Sequence, residues 1–181
     1  GELPEERKER IKLRYGLPDY DIDVLMSEKR IIDYFEQCAE LFNDYKLISN
    51  WIMGEMMSLI KAEKGEILFE KISPKKFVDL LEMIRKGKIT SLVGKDVLRE
   101  VFKTGKFPSQ IVGEKNLLQI EDENFIQEIV KQIINENQKA VDDYKKGKEK
   151  VLGFLIGQVM KRTKGKTSPS VVEEIIKREI K

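Results

Sequence analysis

Nine basic residues fall between positions 139 and 166: Lys139, Lys145, Lys146, Lys148, Lys150, Lys161, Arg162, Lys164 and Lys166. The same stretch holds three acidic residues, Asp142, Asp143 and Glu149. Its local balance is therefore +6 in a chain whose formal net charge is +2, which leaves −4 for the remainder. Ammonium and guanidinium groups gathered in this way neutralise phosphates and give salt-sensitive affinity for a nucleic acid. Six of them, Lys145, Lys148, Lys161, Arg162, Lys164 and Lys166, sit at two expected helix ends and on the loop Lys164-Gly165-Lys166, and these are the candidate contacts. Gly165 would let backbone amides approach a phosphate, and Ser168 would open a helix whose N-terminus favours anions. A solvated charged face produces the same pattern, so charge alone leaves binding and plain solvation equally open.

Other motifs carry less. Gly165-Lys166-Thr167-Ser168 has the ending of a phosphate-binding loop, but Met160 stands where that motif needs glycine and no strand precedes it. Gly153 and Gly157 are spaced as in helices that approach each other closely, and here they are expected to let another helix of the bundle come near. Trp51 lies on an apolar stripe and is expected in the core rather than stacked on a base. The pairs Asp142-Asp143 and Glu173-Glu174 lie on polar faces, where general acid–base work is not expected. With no histidine and only Cys38, Ser-His-Asp and Cys-His machinery is excluded, an intrachain disulfide is impossible and a zinc site is not expected. No catalytic residue and no metal ligand is therefore expected.

The elements that must position these groups are helical. Apolar residues recur at steps of three and four, and convincing alternation is absent; Glu66-Ile67-Leu68-Phe69 is the nearest approach to a strand. Pro4 opens a helix that Gly16 stops, and a Pro-Asp turn follows at 17–19. Ser27 is expected to cap a helix burying Ile31, Ile32, Phe35, Cys38, Ala39 and Phe42. Asp44 caps the next, with Leu47, Ile48, Trp51, Ile52, Met56, Leu59 and Ile60 inward and Gly65 as its break. Ser73-Pro74 starts a helix with Phe77, Leu80, Leu81 and Ile84 inward, stopped at Gly87. Another runs from about Thr90 to Lys103 with Val93, Val97, Val101 and Phe102 inward, and a brief one begins near Pro108. Asp122 caps a helix carrying Phe125, Ile126, Ile129, Val130, Ile133 and Ile134. A helix through Ala140, Val141 and Tyr144 halts at Gly147, and an apolar one runs from Lys148 to about Thr163 with Leu152, Phe154, Leu155, Val159 and Met160 as core. Ser168-Pro169 starts the last, with Val171, Val172, Ile175 and Ile176 inward.

The expected fold is all-α: two small helical bundles, a helical domain over 1–120 and a three- to four-helix tail over 121–181. At 181 residues with 40% hydrophobic residues, the chain has enough apolar mass for two such cores. Val151–Met160, the longest apolar run, is far short of the ~20 residues that cross a bilayer. A charged opening and a single cysteine suit a reducing, cytoplasmic setting with no membrane partner, and a start at Gly1 instead of Met reads as a piece of a longer or processed polypeptide.

Several stretches taken together resemble one family. Glu2-Leu3-Pro4, Arg7, Arg10, Tyr15-Gly16-Leu17 and Tyr20-Asp21 look like the segment that follows the catalytic cradle of GatB, the B subunit of tRNA-dependent amidotransferases. Tyr34-Phe35-Glu36, Lys46 to Glu55, Ile84 to Thr90 and Gly113 to Ile120 resemble its helical domain. Ala140 to Tyr144, Gly147-Lys148, Gly153 to Lys161 and Lys164-Gly165-Lys166 before Pro169 resemble its tail, a kind shared with YqeY-like proteins. Gln138 stands where proline is common, and Thr167-Ser168 where Ala-Asn is common.

The resemblance implies an enzyme that converts Glu-tRNA(Gln), and often Asp-tRNA(Asn), to the amide form. ATP and Mg would serve the cradle, and this part would hold no cofactor. The A and C subunits of the amidotransferase would be its protein partners, and tRNA(Gln) or tRNA(Asn) its nucleic-acid partner. The basic surface would grip and select tRNA rather than make bonds. Two alternatives stay open: a GatE-type or stand-alone YqeY-like domain, although Tyr20-Asp21 favours GatB, and a helical module docking on an acidic protein.

Overall fold

The computed structural model describes residues 1–63 and 68–181, and these contain helices and turns with no strand. They form two compact units, Gly1–Lys86 with Lys95–Lys115, and Gly87–Gly94 with Asn116–Lys181. Gly65, expected to break a helix, lies outside the described residues, as do Glu66 and Ile67 of the strand candidate; Leu68 and Phe69 open a short helix instead.

The first unit begins with α1 (Pro4–Tyr15), which Gly16 ends in the left-handed region at φ 63°. The expected Pro-Asp turn is the start of a further helix, α2 (Asp19–Leu25), with Ile22 and Leu25 fully buried. Ser27 does not cap the helix after it. Its hydroxyl donates to the Val24 carbonyl at 2.7 Å and so finishes α2, and Glu28 is the residue before α3 (Lys29–Leu41). Serine serves either role through the same local side-chain hydrogen bonding, which is why its type alone misplaces the boundary.

Asp44 caps α4 (Tyr45–Trp51) by accepting from the Leu47 amide at 3.2 Å. The single helix expected here is interrupted by a π-helical turn, Ile52–Met56, before α5 (Met57–Glu63). Ile48, Ile52 and Met56 are all fully buried. Residues four apart drift round an ordinary helix, and the wider π turn brings such a row back into line with the core. Beyond it Leu59 and Ile60 are only half-buried. After α6 (Leu68–Lys71), Ser73 caps α7 (Pro74–Arg85), which packs on α3 and α4. α8 (Ser91–Thr104) gives its first turn to the second unit, and α9 (Pro108–Lys115) packs on α7. Phe102, expected inward, is half-buried, with the Lys71 ammonium 4.7 Å from its ring centre.

Charge as well as apolar surface joins α1 to α3. Arg7 reaches Asp33 at 2.6 Å and Glu36 at 2.9 Å, and Arg10 reaches Glu36 at 2.9 Å and Glu2 at 2.7 Å. Buried Asp21 accepts from Lys46 at 2.6 Å and from Ser49 at 2.9 Å. Trp51 is buried in this unit, as its apolar stripe predicts.

The second unit is built on α10 (Glu123–Glu136), α11 (Gln138–Lys145), α12 (Lys150–Arg162) and α13 (Pro169–Ile180). Asp122 caps α10, accepting from the Asn124 and Phe125 amides at 3.0 and 3.2 Å. Ile126, Val130 and Ile133 meet Val141, Leu155, Val159, Val172, Ile175, Ile176 and Ile180 in one core. Two expected core residues are not in it: Phe125 is 47% exposed and Phe154 48%. Both lie on helices whose apolar residues outnumber the inward positions, so periodicity overcounts the buried face. Among the described residues no helix is long and apolar enough to cross a membrane.

Candidate functional site

α12 ends at Arg162, and the chain turns through two residues in the left-handed region, Lys164 at φ 54° and Gly165 at φ 72°. This turn closes on itself. The Gly165 amide donates to the Met160 carbonyl at 2.8 Å and the Lys164 amide to the Lys161 carbonyl at 3.2 Å, a Schellman-type helix end, and the Lys166 amide donates to the Thr163 carbonyl at 3.0 Å. The loop amides expected to face a phosphate are therefore already engaged. Thr163 and Thr167 fasten the turn from within, their buried hydroxyls 2.8 Å apart. Ser168 precedes α13 without capping it, its hydroxyl lying 2.9 Å from that of Ser170.

Residues far away in sequence hold the same loop. The Thr90 hydroxyl donates to the Gly165 carbonyl at 2.7 Å and accepts from the Val93 amide at 3.1 Å. The Gln119 amide donates to the Lys88 carbonyl, and the Ile120 amide to the Lys166 carbonyl, each at 2.8 Å. Lys88 and Lys166 are thus brought onto neighbouring stretches of backbone, and the Lys166 ammonium donates to the Asn116 carbonyl at 3.4 Å. Lys88 is exposed, and a window confined to the C-terminal cluster misses it. Its one sequence signal is the basic run Arg85-Lys86-Gly87-Lys88.

The six sequence-predicted cations divide by their partners. Arg162 grips Glu136 with two nitrogens, at 3.2 and 2.7 Å. Hydrogen bonding from Arg162 holds the Glu136 carboxyl below the usual glutamate range, and Glu136 raises the guanidinium in return. Lys148 lies 3.8 Å from Asp143. Lys145, Lys161 and Lys164 are exposed and form no ion pair among the described residues. Around the helix, Lys161 falls on one line with Lys150, whereas Arg162 is turned about 100° away toward α10. Lys161, Lys164 and Lys166 gather at the C-terminal end of α12, while Lys145 and Lys148 flank its N-terminal end across Gly147.

Gly153 and Gly157 do not receive another helix among the described residues. A Cβ at either position would meet nothing within 4 Å, and both are exposed.

Four helices packed round an aliphatic core, joined through a Lys-Gly-Lys turn pinned by a distant threonine, define a tail module with a basic end. The GatB domain model, GatB_Yqey, matches residues 33–180, and the chain belongs to that family. It is similar to the aspartyl/glutamyl-tRNA(Asn/Gln) amidotransferase B subunit of Thermotoga maritima, 46% identical over 177 residues covering 98% of this chain and 37% of the relative. The counterpart in Thermoanaerobacter sp. X514 is 46% identical over 179 residues, and that in Caldicellulosiruptor bescii 47% over 182. The chain spans 37–38% of the length of these relatives.

Proposed function

We propose that this chain is the tRNA-holding, C-terminal part of an amidotransferase B subunit that makes Gln-tRNA(Gln), Asn-tRNA(Asn) or both from the misacylated forms by ATP-dependent transamidation. One observation carries this reading: a local balance of +6 over residues 139–166, with Lys145, Lys161 and Lys164 exposed and not engaged in ion pairs among the described residues. Lys145, Lys148, Lys161, Arg162, Lys164 and Lys166 contact phosphates of tRNA(Gln) or tRNA(Asn), with Arg162 and Lys148 the weaker members because each already faces a carboxylate. The arrangement orients and selects a folded RNA by charge and shape, and the bond-making step belongs elsewhere in the protein. Residues 1–120 serve as the helical domain and 121–181 as the tail, although Gly87–Gly94 and residues 116–120 belong to the same compact unit as the tail.

ATP and Mg are assigned to the cradle of the complete GatB polypeptide, and the A and C subunits of the amidotransferase are its partners in the cytoplasm. The phosphate-loop-like stretch here does not suit a nucleotide, since the Gly165 and Lys166 amides are consumed in the helix end.

The test is a filter-binding titration of the chain against tRNA(Gln), tRNA(Asn) and a noncognate tRNA over a salt series. Combined Lys161→Ala, Lys164→Ala and Lys166→Ala substitution should weaken binding and flatten the log–log salt slope by roughly 2, at ~0.7–0.9 for each lost phosphate contact. Arg162→Ala alone should change the slope by less than Lys161→Ala. A triple variant with the original slope and affinity would remove these residues from the interface.

A further inference from the structure

The outer face of α12 has a composition that packing within its own unit does not explain. Lys150, Phe154, Gly157 and Lys161 follow one another at steps of four, three and four residues, which places them on one line of the helix. The opposite line, Leu155 and Val159, is fully buried in the tail core. Phe154 stands 48% exposed on the crest. Gly153 and Gly157 border it, both with open space where a side chain would stand. Glycine is the poorest helix former after proline, and two in mid-helix are usually placed where another backbone comes close. No backbone does so here among the described residues. No carboxylate occurs anywhere from Lys150 to Arg162, and the two lysines of the line stand at its ends, roughly 16 Å apart at 1.5 Å per residue.

We propose that this face is a stacking platform for an exposed base of a folded RNA. Phe154 takes the flat face of the base. Gly153 and Gly157 leave room for the ribose and its phosphates to come down onto the helix. Lys150 and Lys161 pair with phosphates on either side. Charge decides the occupant. A polyanion with accessible π-faces satisfies the aromatic residue and both flanking lysines at once, whereas an apolar protein helix seated on the glycines would leave two ammonium groups at its margins. The inference rests on the RNA-binding reading above and adds a contact independent of charge.

That independence makes the two separable. A stacked ring releases no counterion, so its removal lowers affinity by the same factor at every salt concentration, while removal of a lysine changes the slope. The full chain is titrated with a tRNA(Gln) transcript across a potassium chloride series, with thermal melts of each variant to show that the fold is kept. Phe154→Ala and Phe154→Leu should each lose roughly 5- to 50-fold in affinity with the slope unchanged, and Phe154→Trp should bind at least as well as the parent. Gly157→Gln, which fills the open space beside the ring, should weaken binding comparably. Parent affinity in Phe154→Ala and Phe154→Leu, with a flattened slope in the Lys161, Lys164 and Lys166 variant, would overturn the platform and leave the charge-based reading standing. No binding of any tRNA by the parent chain would overturn both. A change in self-association on Phe154→Ala, with RNA affinity intact, would assign the face to protein and also overturn the proposal.

Discussion

Thr90→Val tests how the basic loop is held. The Thr90 side chain is buried, and its hydroxyl does two things: it accepts from the Val93 amide at 3.1 Å, capping α8, and donates to the Gly165 carbonyl at 2.7 Å. Valine keeps the shape and removes both bonds. Loss of an N-cap side chain costs about 1 kcal/mol. Leaving a half-buried carbonyl without its donor costs about 1 kcal/mol more, at the low end because water reaches part of the loop. The expected destabilisation of the second unit is thus about 2 kcal/mol, a factor of roughly 30 in its opening equilibrium. Trp51 fluorescence is the wrong probe, since Trp51 is buried in the other unit. Amide hydrogen exchange read at Gly165 and Lys166, whose amides close the loop onto Met160 and Thr163, reports the effect directly. Those amides should exchange roughly 30-fold faster in Thr90→Val, and Thr90→Ser should restore most of the protection. Exchange in Thr90→Val within a factor of two of the parent would mean that the clasp adds nothing to the loop.

Two further outcomes concern the first unit. Burial raises the Glu36 carboxyl, but hydrogen bonds from Arg10 and Arg7 outweigh it and hold the group below the usual 4.5; Asp33 is likewise held below 3.8 against burial by Lys29 and Arg7. A folded-state pKa below the unfolded one gives stability that is complete above about pH 4.5 and drains as pH falls through the folded values. Glu36→Gln should lower stability by about 1–2 kcal/mol at neutral pH and flatten the acid limb of a urea-denaturation series; an unchanged acid limb would remove Glu36 from the network. Cys38 is fully buried, and burial pushes its thiol up to about 12. A disulfide reagent at about pH 8 should therefore label it only after unfolding, and rapid labelling of the native protein would contradict its place in the core.

Helix starts are readable wherever a cap and a proline or an apolar stripe agree. Asp44, Ser73 and Asp122 all accept from the first-turn amides their types predict. Ser27 shows the limit. One hydroxyl can end a helix or begin the next, and only the structure, where it donates to Val24, decides between them. The π turn at Ile52–Met56 is illegible for a related reason, since a helical period assumes the very regularity that this turn breaks. Phe125 and Phe154 fail differently. Aromatic type argues for burial, but a four-helix unit offers each helix a limited inward strip, and which side chains exceed it depends on neighbours far away in sequence.

The candidate site follows the same division between local and distant information. Its charge is legible because charge is a property of composition; its partners are not, because they are set by folding. Arg162 and Lys161 are adjacent in sequence and equivalent in any count of cations, yet one step round the helix gives Arg162 a carboxylate on α10 and leaves Lys161 on the outer line of α12. Lys88 enters the neighbourhood only through the backbone bonds that lay Gln119 and Ile120 between it and Lys166. The family-signature residues separate in the same way: Arg7, Arg10 and Asp21 spend their charge on Asp33, Glu36, Glu2, Lys46 and Ser49 within the first unit. A cation engaged in this way gains little from meeting a phosphate, since it must give up a carboxylate to do so, whereas Lys161 and Lys164 give up only water. The distribution of ion-pair partners, rather than the density of lysine, therefore ranks the residues by what they can contribute to the proposed RNA interface.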